Sequence, residues 1–248
     1  MQRTVVLCAI CLVLNQAGLG QVMNVQTNSG ITSFGLSDII NITFSDKNTS
    51  GTVADIDGNT YRTVKIGDQV WMAENLKVTH YRDGADILEE IDKNVWNTLF
   101  TGAYCYYDNE KANRSDYGCL YNWYAISSSH NLAPEGWHVP SKDEWDTLVD
   151  SLGGQGIAGS QLKESGNSHW VVHDNGGNNE SGFTALPGGY RFVDGIYNHK
   201  GYSAEFWSST PVQEYMATNV VLSYSSTAVE NYSANKRTGY SVRCVRDN

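Results

Sequence analysis

Short stretches in which apolar and polar residues alternate recur along the chain, and this is the pattern of half-buried β-strands. Residues 22–44 alternate around the turn signal at 28–30 and predict a small β-hairpin. Residues 53–76 predict two strands and the start of a third, with turns at 57–59 and 67–68. Further strands are expected at 103–107, 218–224 and 240–246.

One segment has the period of a helix instead. Ser141 and Glu144 have the spacing of a capping box, in which each side chain bonds the other residue's backbone N–H. Gly153 and Gly154 follow as a stop signal. The segment therefore predicts a helix over 141–152, whose apolar face is formed by Trp145, Leu148, Val149 and Leu152.

The first twenty residues differ from the rest in hydrophobicity. Arg3 precedes an apolar run over 5–14, and Gly18 and Gly20 supply small residues after it. This pattern predicts a secretory signal peptide over residues 1–20. The run is too short to cross a bilayer, which requires about 20 apolar residues. We therefore expect a secreted, periplasmic or cell-surface protein that does not insert into a membrane after cleavage.

The sequence pattern after residue 20 predicts two parts. Residues 21–52 form the β-hairpin segment and end in a polar linker over 45–52, and the main domain covers 53–248. Strands mixed with one or two helices and long glycine-rich loops place that domain in the α+β class.

Composition restricts the partners. The chain has 27 acidic and 17 basic side chains, a net charge of −10, and no basic run. Such a protein is repelled by nucleic acid and by anionic lipid, so neither is an expected partner.

Three cysteines, Cys105, Cys119 and Cys244, remain after signal cleavage. Because exported proteins form disulfides, we expect one bridge and one leftover thiol. Spacing alone does not choose the pair. The alternative is that all three are small buried hydrophobic residues.

No motif identifies a catalytic residue. The histidines are scattered, and no pair of carboxylates is singled out for hydrolysis. Alternating oxygen-bearing residues make one candidate calcium site, formed by Asp174, Asn178 and Glu180. A solvated turn is the alternative there, and no other cofactor is expected.

The C-terminal third carries tyrosines among serines and asparagines, a composition suited to adaptable binding surfaces. Segments 211–215 and 225–235 are predicted to be loops that bracket one strand and share one face. The alternative is that these tyrosines are ordinary strand residues. The candidate ligand-binding residues are Gln213, Tyr215, Tyr224, Asn231, Tyr232 and Asn235.

Six ordered motifs give the chain a family resemblance. They are DIDGNTYRTVKIGDQVWMAENL, YGCLYNWYAI, PEGWHVPSKDEWDTL, SGFTALPGGYR, AEFWSST and GYSVRCVRD. In this order and spacing they resemble the Fibrobacter succinogenes major paralogous domain over residues 53–248. The resemblance implies a bacterial protein.

A more distant resemblance concerns the fold. The stretch 137–140 followed by Glu144 and Trp145, and the closing stretch 242–245, resemble the formylglycine-generating-enzyme branch of the C-type lectin fold. This implies a small twisted antiparallel sheet, one or two helices and long loops that bind ligands. Many relatives have a cysteine where this chain has Ala133, so Cys105 becomes a candidate partner for Cys119 or Cys244.

Three function classes follow. The first is a binding module that recognises an extracellular glycan, another surface polymer or a protein through its C-terminal loops, without catalysis. The second is an enzyme, either an oxidase of the formylglycine-generating type or a hydrolase. The third is a structural or adhesive surface component.

Overall fold

The computed structural model describes residues 51–172 and 176–247 with their side chains, and the backbone of the strands before residue 51. The chain divides into two compact units, Met1–Ser45 and Asp46–Asn248. No helix in these described parts is long and apolar enough to cross a membrane.

The first unit is one antiparallel sheet of four strands in chain order. Its third and fourth strands pair through Thr27 and Gly30, on either side of the predicted turn. The first two strands fall within the predicted signal peptide, which stays a prediction. The strands are β1 (Arg3–Leu7), β2 (Ile10–Asn15), β3 (Val22–Thr27) and β4 (Gly30–Gly35).

The second unit contains four sheets. The five-stranded sheet consists of β5 (Thr49–Ala54), β6 (Thr60–Ile66), β7 (Gln69–Met72), β11 (Trp137–His138) and β17 (Val245–Arg246). The two three-stranded sheets consist of β8 (Leu88–Glu89), β9 (Ala103–Cys105) and β10 (Leu120–Tyr121), and of β14 (Ser203–Gln213), β15 (Met216–Ser223) and β16 (Val229–Asn235). The two-stranded sheet pairs β12 (Tyr190–Arg191) with β13 (Tyr197–Asn198).

The helices are short. They are α1 (Lys93–Trp96), α2 (Arg114–Tyr117), α3 (Trp123–Ile126), α4 (Lys142–Ser151) and α5 (Ala158–Leu162), with 3-10 turns at Tyr107–Asn109 and Lys111–Asn113. Several antiparallel sheets with few short helices confirm the α+β class. β5 begins at Thr49, four residues before the predicted domain start at Val53.

The predicted helix is confirmed as α4. Ser141 Oγ accepts from the Glu144 N–H at 3.3 Å, and Glu144 Oε2 accepts from the Ser141 N–H at 2.8 Å. Glu144 Oε1 also lies 2.7 Å from His138 Nε2, while Asp247 Oδ1 lies 2.5 Å from His138 Nδ1. His138 is thus a structural residue, and it joins α4 to the last residues of the chain.

Large aromatic residues form the core. Trp71 and Trp145 stack with ring centroids 4.7 Å apart, beside Phe183 and Phe206. The core buries Trp71, Trp123, Trp137, Trp145 and Trp207.

The predicted disulfide is wrong. Cys105, Cys119 and Cys244 are all free thiols, and all are fully buried. Cys105 packs beside Trp96, whereas Cys119 and Cys244 belong to the largest hydrophobic cluster. Burial raises the pKa of Cys105 to about 11 and that of Cys119 to about 12. The three side chains therefore act as small buried hydrophobic groups, as the alternative interpretation held.

Candidate functional site

Side chains alternate along the strands of the β14–β16 sheet, which gives it an apolar face and a mixed face that we call the polar face. On one face, Phe206 and Val220 are paired across the strands and pack in the same cluster as Trp145 of α4. The other face carries Glu205 on β14 and Asn219 on β15. Its polar side chains line a cavity of about 430 Å³.

The segment 190–202 forms the opposite wall. Tyr190, Phe192, His199 and Tyr202 line the cavity from that side, and Tyr240 reaches it from the segment after β16. We call this space the aromatic cavity.

The sharpest chemical feature of the aromatic cavity is Glu205. Its side chain is buried, with the residue only 7% exposed, and it accepts a hydrogen bond from Ser203 Oγ at 2.9 Å. Burial raises the pKa of Glu205 to about 7, although hydrogen bonds from Ser203 and Tyr240 act in the opposite direction. The effect of burial on the pKa of Glu205 is the largest one, because an ionised carboxylate loses much more hydration free energy on burial than a neutral carboxyl group does.

Asn219 contributes an unpaired acceptor. The residue is 2% exposed and lines the aromatic cavity, yet its Oδ1 has no hydrogen-bond partner. A buried carbonyl oxygen in this state costs about 1–3 kcal/mol.

The mouth of the aromatic cavity is apolar and accessible. Phe192, Tyr202 and Tyr232 are 45%, 47% and 53% exposed. Tyr202 meets Tyr224 edge to face at 5.3 Å, and the Tyr232 hydroxyl donates to Glu230 Oε2 at 2.7 Å. Rings therefore surround a polar floor.

The aromatic cavity is lined by acidic side chains and by no lysine or arginine among the described residues. Its acidic residues are Glu205 and Glu230. The site thus presents acceptors and negative charge to a ligand.

Two of the predicted ligand-binding residues, Tyr224 and Tyr232, line the aromatic cavity. The structure does not bring the other four together with them. Gln213, Tyr215 and Asn235 lie at the far end of the sheet, where Gln213 and Asn235 both pair with Met216. Tyr215 contacts Phe100 there, with ring centroids 6.4 Å apart, and Asn235 Oδ1 accepts from the Arg237 N–H.

Asn231 points to the opposite face of β16 from Tyr232, as its neighbour in the strand must. Its Nδ2 lies 3.4 Å from Asp146 Oδ1 of α4, and it lines a separate small cavity.

The prediction that segments 211–215 and 225–235 are loops on one face is wrong. β14 extends to Gln213, and residues 229–235 form strand β16. Because the three strands are antiparallel neighbours, the turns that join them lie at opposite ends of the sheet. The candidate site is therefore built from a sheet face and not from the two turns.

The candidate calcium site is only partly described. Asp174 lies outside the described residues. Asn178 Oδ1 accepts from the Glu180 N–H at 3.1 Å, as in a turn. Within residues 51–172 and 176–247, no group of three His, Cys, Asp or Glu residues is placed to hold a metal ion.

The candidate residues chosen from the sequence did not include Glu205, Asn219 or Tyr240, although Tyr240 belongs to the tyrosine-rich C-terminal third. A signal for the first existed, since Glu205 interrupts the apolar strand motif AEFWSST at a position that has no evident structural need for charge. Nothing in the local sequence marks Asn219, whose importance depends on which residues cover it.

The family comparison agrees with the motif resemblance. A model described as the Fibrobacter succinogenes major domain matches residues 64–246. Searches of curated proteins and of solved structures gave no match.

Proposed function

The chain belongs to the Fibrobacter succinogenes major domain family, and on that premise we propose that it is an extracellular binding module for a glycan or another surface polymer. The aromatic cavity is the recognition site in this proposal. The domain is proposed to share the C-type-lectin-like architecture, and export follows from the predicted signal peptide over residues 1–20.

One observation carries the proposal. Exposed rings of Phe192, Tyr202 and Tyr232 stand around a buried polar floor that contains Glu205 and Asn219. Rigid aromatic faces provide contact area for sugar rings at low entropic cost, while the polar groups below orient hydroxyls. Concave sites of this size that combine apolar walls with few polar groups are typical of small-ligand and chain-end recognition.

The architecture is supported by two arrangements. α4 packs its apolar face against the β14–β16 sheet through Trp145 and Phe206, whose ring centroids are 5.5 Å apart. β17 returns the chain end between β7 and β11, as expected for a terminal strand of the lectin-like class.

The test is a glycan array combined with polysaccharide pull-down. For any ligand found, Tyr202→Ala and Tyr232→Ala are each expected to weaken binding about tenfold or more, since a stacked ring contributes about 1–3 kcal/mol. Tyr215→Ala is the matched control, because Tyr215 is equally exposed at the far end of the sheet. Equal losses in all three variants, or none in the first two, would reject the aromatic cavity as the site.

A hydrolase is a second candidate, favoured by Glu205. A carboxyl with a pKa about 7 is protonated in the range where a general acid must donate, and Glu230 lines the same cavity. Incubation of bound polysaccharide with the protein, followed by reducing-end assay, separates the two candidates. Product formation that disappears in Glu205→Gln supports the enzyme, while intact polymer supports the binding module.

The oxidase alternative receives less support. It requires reactive thiolates, whereas burial raises the pKa of each free cysteine above its usual range.

A further inference from the structure

Glu205 is a buried acid that lacks a basic partner. None of the ion pairs formed by described residues includes it. His199 is the one basic side chain among the described residues that line the cavity, and its ring packs edge to face on Tyr190 at 5.3 Å. A carboxylate that ionises in such a site gains little from the protein itself.

The buried Arg191, Arg243 and Lys236 side chains of this protein lie against aromatic rings. The Arg191 guanidinium lies 4.3 Å from the centroid of the Trp96 ring, and that of Arg243 lies 4.2 Å from Phe183. The Lys236 ammonium lies 4.4 Å from Trp123. Aromatic rings are thus the recurrent environment for buried positive charge in this protein.

The aromatic cavity offers the same environment without a cation. It has the rings of Tyr190, Tyr224 and Tyr240 and the carboxyl group of Glu205. Ring faces attract cations through their quadrupole, and a carboxylate adds a direct charge pair. Each of these groups favours a ligand group that carries positive charge.

We propose that the aromatic cavity recognises an organic ammonium group of its ligand, which is held between the rings and paired with Glu205. This inference rests on the proposed function and adds the chemical class of the group bound. The positive charge of the ammonium pairs with the Glu205 carboxylate, while the exposed rings of Tyr202 and Tyr232 contact the remainder of the ligand.

Choline and its neutral isostere 3,3-dimethylbutan-1-ol provide the test, because they share a shape and differ in charge. Binding is measured by calorimetry with the full chain at about pH 8, where a carboxyl with a pKa about 7 is ionised. We expect choline to bind at least about tenfold more tightly than the isostere. Equal affinity, or no choline binding at millimolar concentration, would overturn the proposal.

Substitutions test whether the preference for choline depends on Glu205. Glu205→Gln should remove the preference for choline and leave the affinity for the isostere within about twofold. Glu214→Gln is the matched control, since Glu214 is an exposed carboxylate in the turn between β14 and β15. An unchanged preference in Glu205→Gln, with its thermal unfolding intact, would place the cation elsewhere and reject the assignment.

The outcome is separable from that of the proposed function. If a neutral oligosaccharide binds through Tyr202 and Tyr232 while choline neither binds nor competes, the binding module stands and the ammonium inference fails. If choline binds through Glu205 while every tested polysaccharide fails, the ammonium inference stands and the glycan assignment fails.

Discussion

At the scale of single residues, Glu205 is a buried carboxyl group whose ionised form is disfavoured by its surroundings. Its neighbours on β14, Ala204 and Phe206, point into the core, whereas its own side chain lies beneath the cavity with only Ser203 and Tyr240 as hydrogen-bond partners. Removing such a group should stabilise the protein and impair binding, the trade-off expected of residues retained for function.

Glu205→Gln tests this through pH. The folded-state pKa of Glu205, about 7, exceeds the ordinary value of 4.5. Its contribution is therefore fully present below about pH 4.5 and is lost as the pH rises through 7. The Gln variant should match the parent near pH 4.5 and be up to about 3 kcal/mol more stable at pH 8, because each pKa unit corresponds to about 1.4 kcal/mol.

Urea unfolding at both pH values measures the difference. If the variant is equally or less stable than the parent at pH 8, interactions in the folded protein offset the cost of ionising the buried Glu205 carboxyl group.

At the scale of elements, α4 is the piece whose formation depends most on local sequence. Its capping box and its apolar face occur within twelve consecutive positions, 141–152. α4 then positions the apolar face of the β14–β16 sheet through Trp145, which leaves the polar face free to line the cavity.

Ser141→Ala tests the cap. The substitution removes the Oγ that accepts from the Glu144 N–H, and we expect a loss of about 1 kcal/mol in the free energy of unfolding. Thr147→Ala is the control on the exposed side of α4, where changes stay within about 0.5 kcal/mol. Chemical denaturation compares the two variants, and equal effects would mean that the cap adds nothing beyond general helix packing.

At the scale of the whole molecule, the three described hydrophobic clusters lie within the second compact unit. Their described members extend from Tyr61 to Val245. A chain that begins at Asp46 should therefore fold by itself, since it forms one compact unit and retains every described member of these clusters.

Thermal unfolding of this shortened chain should give a midpoint within a few degrees of that of the full chain. Tyrosine and tryptophan near-ultraviolet circular dichroism reports the packing of Trp71 and Trp145. Loss of that signal, or aggregation of the shortened chain, would show that residues 1–45 are required for folding.

The sequence by itself determined the features that depend on near neighbours. Ser141, Glu144 and the spacing of Trp145 were sufficient for α4, because capping and helical periodicity act within a few residues. The ordered motifs identified the family, and the helical period identified Trp145, Leu148 and Val149 as buried residues.

Only the tertiary structure decided which residues form the candidate binding surface. Glu205 and Asn219 meet Tyr190 and Tyr240 because distant segments fold over one face of the β14–β16 sheet. Strand pairing also separated Tyr215 from Tyr224, which local composition had placed together. Burial, and with it the pKa of Glu205, depends on which segments exclude water from a side chain, and this is not encoded within any short stretch.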